Sequence, residues 1–131
     1  MNAETNRKRI RESLEVLEES VEKGLQDRQQ TIGFSLSSAS THYLELFLHQ
    51  LSLTDPGFIL KHQWLKSQKQ ITTKLPFDFP CKQEILDLMA SIEEKRNVLC
   101  YGRPQKVEVI QAVLEKFYEL KKKFKEVGLE F

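Results

Sequence analysis

The stretch Glu93-Glu94-Lys95-Arg96-Asn97-Val98-Leu99-Cys100-Tyr101-Gly102-Arg103-Pro104 gathers more potential chemistry than any other part of the chain. Helical spacing puts Arg96 on the side of its helix that carries Ile92, Leu99 and Cys100. A guanidinium on an apolar face is costly unless it is paired. Glu93, three residues earlier, or Glu45 on another helix would close the bundle with a buried ion pair. The same guanidinium also offers a planar two-pronged fork that fits phosphate. Arg96, Asn97 and Arg103 therefore form a candidate phosphate- or ligand-binding set, beside a Gly-containing turn.

The histidines are the second candidate. His42, Glu45 and His49 fall at i, i+3 and i+7, on one side of a helix. A carboxylate–histidine metal site in a bundle would need a matching Glu-x-x-His on another helix, and none occurs. No metal and no cofactor are expected; the three polar groups read as hydrogen-bonded inside the bundle or at an interface. His62, beside Lys61 and near Trp64, reads as a surface or loop anchor. Residues 55 to 82 carry five Lys against two Asp around Trp64, which reads as a solvated face with an RNA-facing patch as the alternative. Lys121, Lys122 and Lys123 read as the outer face of the last helix.

Five segments must position these groups. Residues 4–28 place Ile10, Leu14, Leu17, Val21 and Leu25 on one narrow stripe of a highly charged helix. Residues 29–54 hold a single formal charge, Glu45, and are apolar on more than one face, which marks the central helix. Leu44, Leu48 and Leu51 form a further apolar face there that predicts an interface with a second copy. Thr54-Asp55-Pro56-Gly57 is a turn, residues 59–73 a short helical segment, and Leu75–Pro80 an extended connector with two Phe to bury. Residues 81–100 and 105–127 are helical again, the last with the 3-4-3-4-3 rhythm of Ile110, Val113, Phe117, Leu120, Phe124 and Val127. The fold class is all-α: an up-and-down bundle of four to five helices, one domain over residues 1–131.

Composition limits the function. Lys+Arg is 20 and Asp+Glu 19 for a net charge of +1, which argues against a protein that coats nucleic acid indiscriminately. No apolar run follows the N-terminal basic cluster and none is long enough to span a membrane, so a cytoplasmic protein is expected. Cys81 and Cys100 read as reduced, partly buried thiols, with a disulfide between them left open.

The layout and the stretch at Arg96 together resemble the HEPN domains (higher eukaryotes and prokaryotes nucleotide-binding). These are all-α bundles with a long first helix, an apolar second helix and a late Arg-Asn-x-x-x-His motif. The matching residues are Gly33-Phe34-Ser35-Leu36-Ser37-Ser38-Ala39, Tyr43-Leu44-Glu45-Leu46-Phe47 and Arg96-Asn97-Val98-Leu99-Cys100-Tyr101. The resemblance implies a metal-independent ribonuclease site, shared by a homodimer, with Arg96 stabilising charge on phosphate. Tyr101 occupies the histidine position. A phenol is ionised to only about 0.1% at neutral pH, so efficient RNA cleavage through Tyr101 is not expected. The resemblance also implies a minimal nucleotidyltransferase partner in a toxin–antitoxin pair, with Tyr101 a conceivable acceptor of AMP. The leading expectation is thus a HEPN-like protein that binds nucleotide, RNA or that partner. The alternatives are an endoribonuclease toxin with a variant Arg96–Tyr101 site, and a generic interaction bundle.

Overall fold

The computed structural model describes residues 1–131, which form five α-helices and no strand. Helix α1 spans Ala3–Lys23. Asn2 caps it by accepting a hydrogen bond from the Thr5 backbone N–H at 2.8 Å, a partner the first turn otherwise lacks. The helix buries only Asn6, Ile10, Leu17 and Ser20. It stops five residues short of the expected Arg28, because Gly24 turns the chain at φ 124°.

Helix α2, Gln29–Gln50, buries fifteen of its 22 residues and is the centre of the molecule, as its lack of charge predicts. It ends at Gln50 rather than Thr54. Ser52 adopts φ 57°, its N–H donates to His49 O, and the Leu53 N–H reaches back to Leu48 O, both at 2.9 Å. This closure satisfies the last carbonyls and stops the helix. The extra apolar face is not left for a second copy. Leu44 and Leu48 are fully buried within the chain's own core, and Leu51 packs against its edge.

The segment expected as one helix over residues 59–73 is two pieces. A 3-10 turn covers His62–Lys66 and helix α3 covers Gln68–Lys74. Ser67 divides them in an extended conformation, and its hydroxyl caps α3 through the Gln70 N–H. The connector that follows is extended and buries Leu75 and Phe79, with Phe77 half-buried. Helices α4, Lys82–Tyr101, and α5, Val107–Glu126, complete the bundle. On α5 the residues Ile110, Val113, Phe117, Leu120 and Phe124 face inward as their rhythm predicts.

Direction follows from which ends meet. Gln29, at the start of α2, bonds to Leu99 O at the end of α4, so those helices are antiparallel. Gln50, at the end of α2, bonds to Gly128 and Glu130 beyond the end of α5. Thus α1, α2, α4 and α5 run up, down, up and down. Helices α2 and α4 approach closely at Gly33, where an added Cβ would lie 2.8 Å from both Cys100 Sγ and Leu99 Cβ. That contact fixes where the last turn of α4, and with it Arg96, sits against α2.

Candidate functional site

Arg96 rises from α4 into a cavity of about 520 Å³ lined by Phe34, Ser37, Ser38, Thr41, His42 and Glu45 of α2 and by residues 59–63. It makes no ion pair. Neither expected carboxylate takes it, and its Nε is buried without a hydrogen-bond partner. The guanidinium carbon lies 5.2 Å from the centre of the Phe34 ring. That contact offsets part of the desolvation cost but accepts no N–H in the plane of the fork.

Glu93 is unavailable to Arg96 because two other groups hold it. Its side chain is 1% exposed. Oε1 accepts from Ser37 Oγ at 2.5 Å, and Oε2 lies 2.9 Å from His62 Nδ1. A carboxylate acceptor places the proton of the neutral imidazole on Nδ1 and leaves the Nε2 lone pair free. His62, read from sequence as a loop anchor, is therefore one half of a His–Glu pair on the cavity wall. The signal was invisible in one dimension: 31 residues and a whole helix separate the partners.

The trio His42, Glu45 and His49 does not converge. His42 Nδ1 lies 3.0 Å from Oδ1 of the fully buried Asn6. Asn6 Nδ2 donates to Met1 O at 3.5 Å, which identifies Oδ1 as the acceptor and puts the His42 proton on Nδ1. Burial pushes the His42 pKa down from its ordinary value; Arg9 and the Met1 ammonium add to this and Glu45 opposes it. Glu45 Oε2 accepts the Leu60 N–H at 2.9 Å, and Oε1 lies 3.3 Å from the Met1 ammonium with no directed hydrogen bond. Both nitrogens of His49 are engaged, by Thr54 and by Met1 O. No group of three or more His, Cys, Asp or Glu side chains converges as a metal site.

The other expected site residues lie elsewhere. Tyr101 is 68% exposed and lines a separate groove of about 330 Å³ with Gln30, Cys100 and Pro104. Its ring meets Phe34 edge-on at 5.8 Å, so Phe34 stands between Tyr101 and Arg96. Asn97 and Arg103 are exposed and border neither the Arg96 cavity nor that groove. Arg103 contributes only its carbonyl, to Gln29 and Gln105. No protein-family model, curated protein or solved structure matches the chain. The role of the cavity therefore rests on its own chemistry.

That chemistry favours an anion. Lys61 lines the cavity and Arg9, outside its lining, acts electrostatically on His42; neither they nor Arg96 is in an ion pair. The rest of the basic 55–82 stretch is structural where it is engaged. Lys74 covers the half-buried Trp64, and Lys82 Nζ bonds to Leu75 O and Phe77 O. Both cysteines are free, Cys81 exposed and Cys100 buried. A groove of about 620 Å³ between α3, the connector and α4 is larger but presents no unpartnered buried polar atom. No helix is long and apolar enough to cross a membrane.

Proposed function

We propose that the chain is a HEPN-like helical bundle that binds a phosphate-bearing ligand, a nucleotide or single-stranded RNA, at the Arg96 cavity. The observation that carries this reading is Arg96 itself. Its guanidinium is unpaired and half-buried, with an orphaned Nε, in a cavity large enough for a nucleotide. A buried donor without an acceptor costs about 1–3 kcal/mol, and an anionic oxygen would supply the acceptor. Phe34 and Tyr101 beside it are exposed aromatic faces of the kind on which bases stack. Arg103 and Asn97, exposed near the same helix end, belong to the approach rather than the pocket.

Titration with AMP and with a short single-stranded RNA oligonucleotide tests this. Saturable binding that weakens at least tenfold in Arg96→Ala supports it. Failure of the wild-type protein to bind either ligand overturns it.

A homodimer and a nucleotidyltransferase subunit remain part of the proposal on the resemblance alone. The leucine face of α2 no longer argues for a dimer, since the chain covers it. The surface that would receive either partner is the exposed Phe34–Tyr101 edge. Sedimentation of wild type and Phe34→Ser tests this: a monomer at micromolar concentration removes the dimer.

A further inference from the structure

The Arg96 cavity holds two imidazoles whose anchors differ in charge. His42, on α2, is held through Nδ1 by a neutral amide oxygen, Asn6 Oδ1 at 3.0 Å. His62, on the 3-10 turn, is held through Nδ1 by a carboxylate, Glu93 Oε2 at 2.9 Å. Both rings line the cavity with Arg96, and no protein group bonds to either Nε2. In the neutral tautomers each Nε2 carries a lone pair, which cannot bond to an anionic oxygen. From this geometry we infer that His62 is a second anion-binding residue of the cavity and binds as the imidazolium, so that the ligand's charge is captured together with a proton. This inference rests on the ligand-binding reading above and adds to it the control of that same site by pH.

The two anchors decide which ring takes the proton. Glu93 is 1% exposed, and its oxygens meet only Ser37 Oγ and His62 Nδ1. A proton arriving from solvent at His62 Nε2 turns that contact into a charge-assisted pair and the lone pair into an N–H donor. Carboxylate and bound anion then share one imidazolium from its two nitrogens. Without an anion, the Arg96 guanidinium in the same cavity opposes a second cation; an anion offsets that opposition. Linkage makes the effect mutual, since the proton favours the anion by the factor with which the anion favours the proton. At His42 the conditions are reversed. The Asn6 amide supplies no charge, burial pushes the pKa down, and Arg9 and the Met1 ammonium oppose a further positive charge against Glu45 alone. His42 Nε2 therefore stays an acceptor, open to a ligand hydroxyl or amino group. Around His62, α2 contributes Glu45 to the shared cavity, the N-terminus Met1, and the adjoining chain Lys61. Helix α3, packed on the 3-10 turn, carries Lys69 and Lys74, neither of them in the cavity lining.

The probe is the short single-stranded RNA of the binding test, prepared without terminal phosphates. A phosphomonoester itself titrates near pH ~6 and would add a proton of its own. Isothermal titration calorimetry at pH 7, repeated in buffers of different ionisation enthalpy, counts the protons taken up per ligand bound. Wild type should take up a substantial fraction of one proton, His62→Gln close to none, and His42→Gln as much as wild type. At constant ionic strength the wild-type affinity should fall about tenfold or more from pH 6 to pH 8, while that of His62→Gln should change by no more than about threefold. Glu93→Gln tests positioning: it should still bind and lose most of the proton uptake. The ring nitrogen resonances of His62 should move to imidazolium values on saturation. Circular dichroism melts confirm that each variant is folded, and the wild-type proton count needs no variant. Binding of wild type without proton uptake, or uptake retained in His62→Gln, overturns the inference and leaves the binding reading intact. Absence of binding overturns both.

Discussion

The two ends of the Arg96–Arg103 stretch lie within one helix and the turn that follows it, yet they are opposite kinds of structure. At the turn, every exchange is closed. Gln29 donates to Leu99 O and Arg103 O at 3.2 and 3.0 Å and accepts the Gln105 N–H at 2.7 Å. Gln30 donates to Cys100 O at 3.0 Å, and Gln26 to Gln105 O at 3.0 Å. One turn earlier, Arg96 leaves a buried donor open and two imidazoles present free nitrogens. The turn is a lock, and the cavity keeps a buried donor without an acceptor. A motif read as one unit thus divides between a satisfied hydrogen-bonded turn and an unpaired guanidinium.

The largest expected effect breaks the lock. Gln29→Ala removes three hydrogen bonds and strands buried backbone partners, a loss of about 2–4 kcal/mol. Gly33→Ala forces a Cβ to within 2.8 Å of Cys100 Sγ and Leu99 Cβ and should cost about 1–3 kcal/mol. Urea unfolding measures both. If Gln29→Ala is as stable as wild type, the turn does not hold α2 to α4 in solution.

Arg96→Ala should give the opposite profile. It deletes an unsatisfied donor together with a cation–π contact, and the two changes nearly cancel, so stability should stay within about 1 kcal/mol of wild type. Ligand affinity should carry the loss instead. A destabilisation as large as that of Gln29→Ala would mean Arg96 is a structural residue, and the contrast between the two ends would collapse.

How much of this was legible in the sequence differs between the two regions for a physical reason. Periodicity reports which side of an element is apolar, so the helices, the centrality of α2 and the inward rhythm of α5 could all be read. It does not report what covers a face, so Leu44 and Leu48 looked like an interface when the chain buries them itself. It is also blind to pairing across the fold. Glu93 lies at the right spacing for Arg96, but Ser37 and His62 reach it first. Asn6, fully buried on the most charged helix, gave no sign that it anchors His42. Arg96 is legible because a charge on an apolar face is locally anomalous; its two histidine neighbours are locally ordinary.

Acid should sharpen the contrast through stability. Burial holds the His42 pKa below its ordinary 6.5 in the folded state, so the unfolded chain binds this proton more readily. The contribution is complete above about pH 6.5 and is lost as pH falls through the lowered folded value. Subtracting the pH–stability curve of His42→Gln from that of wild type isolates it. The difference should move against wild type on acidification from pH 7 to 5. A flat difference would mean that the His42 ring is solvated and the cavity wall loosely packed.

The smallest effect reports on the turn without disturbing it. Burial pushes the Cys100 thiol up from its ordinary pKa, with Glu93 adding to this and Arg96 opposing it. Cys81 is exposed. A disulfide-exchange reagent at pH 8 should therefore modify Cys81 first and Cys100 well behind it, since both access and thiolate fraction are lower at Cys100. Gly33→Ala, by wedging α4 away from α2 at Cys100, should narrow the gap between the two rates. Arg96→Ala should widen it slightly, because the nearby positive charge that favours the thiolate is gone. Opposite movements in these two variants would separate packing from electrostatics at one sulfur atom, midway between lock and cavity. Equal reactivity of the two thiols in wild type would show that the turn opens on the timescale of the reagent.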